Sequence, residues 1–313
     1  MEAFPYLVSV VIPTYNRAKT IVKSINSILS QSYSNIEIIV VDDCSSDNTH
    51  QVILDEFSQI NNLIYLKHEI NKGGNAARNT GINIAKGELI AFLDSDDEWV
   101  DSKIEKQVYR IIKNKNCGLI YTACTNVDLI TNKVVSYSYE EPSNNPFYKL
   151  LCQNFIGTTS SILCKKKCLL DIGNFDESLP SCQDWDLYIR MSQKYNIEYI
   201  NEPLLKYYVH GDSITGNCAK AIEGHEIITE KVLKIVNSSK LYSLKKKILY
   251  FHYKKRADIY LKFGIMKKTI KYRLKSFRYN PLDFKNNIQL LISFGGKNFY
   301  DSITGIKKTI KKI

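Results

Sequence analysis

Five aspartates fall at the ends of two apolar runs. Asp42 and Asp43 follow the run 36–41, and Asp94, Asp96 and Asp97 follow the run 89–93, with Ser95 among them. A third run, 7–12, closes in Pro13-Thr14-Tyr15-Asn16. Carboxylates gathered on one edge repel each other, and a divalent cation among them relieves the repulsion. Taken singly, each Asp is equally an ordinary turn or N-cap residue. Farther on, Asp184 opens a stretch in which Leu187, Tyr188 and Met191 recur at helical spacing. A carboxylate there either caps the helix or serves as a proton acceptor, with Trp185 and Tyr188 placed to form an aromatic wall beside it. Asp186 is the neighbouring alternative.

Such an edge needs a sheet to build it. The short β-branched runs 7–12, 36–41, 63–66 and 89–93 read as buried strands, and the stretches 17–31, 48–57 and 73–85 between them read as helices. Strand–helix alternation predicts right-handed βαβ units and a mostly parallel sheet, whose ligands collect beyond the carboxyl ends of the strands. Ser102 and Glu105 have capping-box spacing before a helix over 103–114. Strands are expected over 117–121 and 134–139, a loop over 141–146, and short extended runs at 199–200 and 204–209. Beyond about residue 216 the pattern is helical, giving an α/β domain over 1–215 and a helical region over 216–313.

The charge divides at nearly the same place. The 313 residues carry a net +11, but from Lys231 onward 22 Lys and Arg face three acids, leaving −8 for the rest. An acidic half suits a metal, and a basic half suits an anionic surface. With 44% apolar and 24% charged residues, disorder and collagen-like repeats are excluded. The eight cysteines form no C-x-x-C and no Cys/His cluster, so free thiols are expected rather than a zinc site. There is no apolar stretch of about 18 residues and no signal-like leader, so a cytoplasmic chain is expected, dissolved or on a membrane surface.

Five blocks together resemble one family: SVVIPTYNR (9–17), EIIVVDDCSSDNT (37–49), NKGGNAARNTGI (71–82), GELIAFLDSDDEW (87–99) and QDWDLYIR (183–190). In this order they resemble family 2 glycosyltransferases over about residues 7–215. The resemblance implies a GT-A fold and inverting sugar transfer from a nucleotide sugar with Mn²⁺ or Mg²⁺. It implies that Pro13, Thr14 and Tyr15 wall the nucleobase and that Asp43 accepts a hydrogen bond from the base, which favours UDP. Asn71 and Arg78 then hold the ribose and phosphate side, Asp94 and Ser95 the ribose or donor sugar, Asp96 the metal, and His210 the metal or the diphosphate. Asp184 is the implied catalytic base. Two positions depart from the pattern: Gln183 stands where an acid usually precedes the base, and Tyr208 where an arginine often precedes the histidine, with Lys206 a nearby substitute.

The implied activity is addition of one sugar to a lipid-diphosphate-linked oligosaccharide in O-antigen or capsule assembly. Rival readings are transfer to a protein or soluble glycan, and a nucleotide-sugar-binding scaffold without turnover. For the basic region, in which 257–281 resembles a tetratricopeptide-type helix pair, the readings are a solvated helical face, peripheral contact with the anionic inner face of the cell membrane, or nucleic-acid binding. The last lacks any recognised module, and no nucleic acid is expected as a partner.

Overall fold

A computed structural model describes residues 6–209, 217–238 and 240–304. By internal packing the chain divides into two compact units. The first comprises Met1–Leu150, Asn154–Ser178 and Gln183–Asp212, and the second Leu151–Gln153, Leu179–Cys182 and Ser213–Ile313.

The first unit is built on β1 (Val8–Thr14), β2 (Ile36–Asp42), β3 (Leu63–Lys67) and β4 (Leu89–Phe92), all mutually parallel in the order β3-β2-β1-β4. Helices α1 (Ile21–Leu29), α2 (Thr49–Phe57) and α3 (Gly74–Ile84) connect them. Val10, Ile12, Ile38, Val40 and Ala91 are fully buried with Ile21 and Ile25 of α1, so the uniformly apolar runs behave as parallel strands covered by helices. Gly81 is required where α3 meets the sheet, because a Cβ there would lie 2.3 Å from Val11 Cγ1.

Beyond β4 the sheet departs from the simple alternation. The two-residue β5 (Glu98–Trp99) precedes α4 (Lys103–Lys113), β6 (Cys117–Asp128) and β7 (Val134–Ser138). Then come α5 (Pro146–Cys152), β8 (Ile162–Lys165), α6 (Lys166–Asp171), α7 (Gln183–Lys194) and β9 (Asn196–Val209). β8 runs antiparallel between β4 and β6, β9 lies parallel to β6, and β5 and β7 close the edges antiparallel. The two short extended runs expected near 199–209 are thus one strand, with Pro203 at a shift of register against β6. The capping box does not form: Ser102 makes no side-chain cap, and Glu105 accepts instead from Ser32 Oγ at 2.7 Å.

The second unit carries α8 (Cys218–Asn237), α9 (Lys245–Lys262), α10 (Met266–Tyr279), α11 (Phe284–Ser293) and α12 (Gly296–Thr304). Ile228, Val232 and Val236 of α8 and Ile248, Ala257 and Tyr260 of α9 are buried. His252 bonds Thr229 Oγ1 at 3.0 Å and Leu151 O at 2.9 Å. Among the described residues no helix is long and apolar enough to cross a membrane. All eight cysteines are free; Cys117, Cys152, Cys164 and Cys168 are buried, and burial pushes the Cys117 thiol up to about 12.

Candidate active site

The carboxyl ends of β1, β2 and β4 turn into the loops that carry the expected site. Two of these turns use left-handed backbone without glycine, at Asn16 (φ 53°) and Cys44 (φ 67°), a conformation that costs energy and is retained where the surroundings enforce it. Asn16 is held by its side chain, whose Oδ1 accepts from the Ser46 amide at 2.9 Å. Tyr15 is exposed, Pro13 is half-buried and Thr14 is buried, so of these three Tyr15 presents its ring to solvent.

The five aspartates do not share one cation. The protein itself answers the charge of four of them. Asp42 accepts from the Ser45 amide at 2.7 Å and from the Tyr65 hydroxyl at 2.6 Å. Asp43 accepts from the amides of Lys72 (2.8 Å) and Gly73 (2.7 Å) and pairs with His68 Nδ1 at 2.8 Å. The amide of Asn71 donates to the Asp43 carbonyl at 3.0 Å. Asp43 therefore clamps the loop that leads into α3, with three of its roughly four acceptor positions filled. His68, with no motif around it, is a partner that sequence reading missed; its other nitrogen meets Thr80 Oγ1 at 3.0 Å.

Asp94 receives Arg78 Nη2 at 2.6 Å, and its amide donates to Ser160 Oγ at 3.0 Å. Arg78 is itself buried, with its guanidinium 5.6 Å from the Phe175 ring centre. Ser95 is buried beside it in the chain. Asp97 is buried and points inward: Ser160 Oγ donates to it at 2.6 Å and the Tyr208 amide at 3.1 Å. Burial, then the charges of Asp94 and Asp96, push its carboxyl well above the usual range.

Asp96, like Asp94, is only partly buried, and Arg17 Nη2 lies 3.4 Å from its Oδ2. Among the described residues no group of three or more His, Cys, Asp and Glu has the arrangement of a metal centre. A single carboxylate still fits Mn²⁺ or Mg²⁺, because such cations take one or two carboxylates and draw the remaining ligands from substrate phosphates and water. His210 lies outside the described residues.

Asp184 stands in the first turn of α7. Its Oδ1 accepts from the Trp185 amide at 2.7 Å and its Oδ2 from Asn154 Nδ2 at 3.0 Å. Burial pushes its pKa up to about 6, opposed by those two bonds and by the charge of Arg78 and reinforced by Asp94. Asp186 is occupied elsewhere, bound by Arg190 Nη2 at 2.7 Å, which also holds two backbone carbonyls of the 172–174 turn. The expected aromatic wall is not there: Trp185 and Tyr188 lie on the buried face of α7, and Trp185 Nε1 donates to the Leu150 carbonyl.

Strand β9 contributes a residue that the motifs did not mark. Tyr207 is half-buried, and burial together with the charges of Asp97, Asp94, Asp96 and Asp184 raises its hydroxyl pKa, so this phenol lies within the field of all four acids. Lys206 and Tyr208 both turn to Glu98, at 3.5 Å and 2.8 Å.

Comparison with known proteins gives this geometry its setting. Residues 9–177 match the model of "Glycosyl transferase family 2", which ends seven residues before Asp184. The UDP-Glc:alpha-D-GlcNAc-diphosphoundecaprenol beta-1,3-glucosyltransferase WfgD of Escherichia coli is 36% identical over 220 residues, which is 70% of this chain and 83% of that protein. Glycosyltransferase GlyG of Streptococcus pneumoniae is 39% identical over 150 residues, 48% of this chain and 45% of its own. Among solved structures, S. aureus TarS 1-349 in complex with UDP-GlcNAc superposes with a TM-score of 0.67 at 20% identity, covering 98% of this chain and 94% of that one. The mannosyltransferase PcManGT of Pyrobaculum calidifontis, in complex with GDP-Man and Mn2+, gives 0.60 at 14% identity, covering 98% and 89%. The fold is GT-A, as the sequence blocks implied. With a family match over more than half its length and a relative above 30% identity that spans 70% of it, the chain is a glycosyltransferase of glycosyl transferase family 2.

Proposed function

We propose that the chain transfers one sugar, with inversion, from a UDP-sugar to a hydroxyl of a lipid-diphosphate-linked oligosaccharide in surface-polysaccharide assembly, working at a membrane surface. The lipid-linked acceptor and the UDP donor are supported by the E. coli relative, a UDP-Glc:alpha-D-GlcNAc-diphosphoundecaprenol beta-1,3-glucosyltransferase. The observation that carries the chemistry is Asp184: a carboxylate with its pKa near 6, oriented by two donors and standing in the field of Arg78 and Asp94.

The acceptor oxygen attacks the anomeric carbon from the side opposite the leaving group. Asp184 takes the hydroxyl proton, the bond from sugar to diphosphate breaks, and UDP departs with the electron pair. A base whose pKa lies just below the working pH is both ionised and basic enough to contribute about 10²–10⁴-fold. Tyr15 packs on the base, Arg78 holds Asp94 toward the donor, and Asp96 offers its carboxylate to Mn²⁺ or Mg²⁺. Such a cation, when bound, neutralises charge growing on the leaving diphosphate.

Asp184→Asn keeps the shape and removes the proton affinity. Transfer should fall about 10²-fold or more with donor affinity unchanged, and the parent rate should drop as pH falls below about 6, where Asp184 becomes protonated. Near-parental transfer by this variant would overturn the assignment. Loss of transfer in chelator, restored by Mn²⁺ in the parent and not in Asp96→Ala, tests the cation.

A further inference from the structure

Helices α10 and α11 are amphipathic in the reverse sense. α10 buries Thr269, Arg273 and Ser276, and α11 buries Asn286, Leu290 and Ser293. The polar groups bond to one another: Arg273 donates to Asn286 Oδ1 at 2.9 Å and to Asp258 Oδ1 at 2.8 Å, and Asn286 Nδ2 donates to Ser276 Oγ at 3.0 Å. Leu290 aside, several large apolar side chains point outward. On α11, Phe284, Ile288 and Leu291 recur at i, i+4 and i+7 and are 75%, 56% and 70% exposed. Leu282 before the helix and Phe294 after it are 77% and 62% exposed, and Leu274 and Phe277 add exposed apolar groups on α10. By contrast Leu249 of α9 is buried and Phe251 half-buried, so the apolar contact surface is not on that helix.

Contiguous apolar patches are uncommon on free surfaces and mark contact sites. Charge identifies what this one contacts. Lys267, Lys268, Lys271 and Arg278 of α10 and Lys285 of α11 are exposed, and neither helix contains an acid. The nearest acid in the chain, Asp283, is taken by Lys254 and Tyr250. A second copy would set one row of cations against another. A nucleic acid would match the lysines but leave phenylalanine and leucine side chains in water. An anionic bilayer supplies both phosphates and an apolar boundary.

We propose that the outer face of α10 and α11 docks the protein on an anionic lipid bilayer. Phe284, Ile288, Leu291 and Phe294 enter the boundary between headgroups and acyl chains, and the flanking lysines meet the headgroup phosphates. The inference rests on the lipid-linked-acceptor reading for its purpose, while the binding is measured without a sugar donor.

The test uses the full chain and vesicles of phosphatidylcholine with or without phosphatidylglycerol. The parent should partition at least tenfold more strongly onto the anionic vesicles at low salt and be released at high salt. Ile288→Asp with Leu291→Asp should lose at least tenfold of that binding at unchanged helical circular dichroism. Trp99 and Trp185 are both buried, so Leu291→Trp adds a separable fluorophore, which should shift to the blue on anionic vesicles and be quenched by brominated acyl chains. Three results would each overturn the proposal: no anionic preference, a Trp at 291 that stays in water on bound vesicles, or a double-Asp variant that binds like the parent. A dimer that the double-Asp change dissolves, without vesicle binding, assigns the face to a second copy instead. Donor hydrolysis in solution tests the transfer reading separately, so either can fail alone.

Discussion

The parallel sheet and the outer helices α10 and α11 bury opposite kinds of side chain. In the sheet, Val10, Ile38 and Ala91 fill the interior, and the aspartates at the strand ends are held by groups of the protein. In the outer helices a buried arginine, asparagine and serine join Leu290 in the interior, and Phe284, Ile288 and Leu291 are outside. The difference teaches where stability comes from. Apolar burial holds the sheet rigid enough to position carboxylates, whereas hydrogen bonds fix the geometry of α10 and α11 and leave their hydrophobic surface for an external contact.

Substitutions can break this comparison. Ile38→Ala deletes fully buried methyl groups from β2 and should cost about 2–5 kcal/mol in chemical denaturation. Asn286→Ala removes no large apolar group yet takes one hydrogen-bond partner from each of Arg273 and Ser276, so about 1–3 kcal/mol should be lost from the helical unit. If the helical unit tolerated Asn286→Ala freely, its polar interior would not be what holds it.

Acid sharpens the contrast. Burial lowers the pKa of His252 to about 4 and that of His225 well below its ordinary value. The unfolded chain, with histidine near pKa 6.5, then binds more protons than the folded one, so stability falls as pH drops from about 6.5 toward 4. Amide exchange in α8 and α9 should speed up over that window before exchange in β1 and β2 does. Leu291→Ala, the smallest expected effect, should change stability by less than about 0.5 kcal/mol, although the same kind of deletion is severe in the sheet.

Much of the sheet was legible because β1 to β4 are short, mostly apolar runs, and the loops after them carry residues in recognisable blocks. β5 has two residues and β8 four, too short for periodicity to register, and both are set by pairing with distant strands. Pro203 concealed the continuity of β9, since a proline ordinarily breaks a strand and here occupies a register shift. At the site, residue types were readable but partners were not. Nothing in the spacing shows that His68, 25 positions on, occupies Asp43, or that Asp97 faces inward to Ser160 and Tyr208. Trp185 and Tyr188 were read as a sugar wall because aromatics beside a candidate base suggest one, but the helical phase of α7 directs both into the core.

The free cysteines give the molecule an internal clock. Cys117 and Cys164 sit fully buried in the sheet with their thiol pKa values raised by burial, so the nucleophilic thiolate is scarce while the fold is closed. An alkylating reagent can then modify them only in the moments when the strands separate. At reagent concentrations where modification outpaces reclosing, the rate at which these thiols are consumed counts the openings of β6 and β8, and it requires no introduced label.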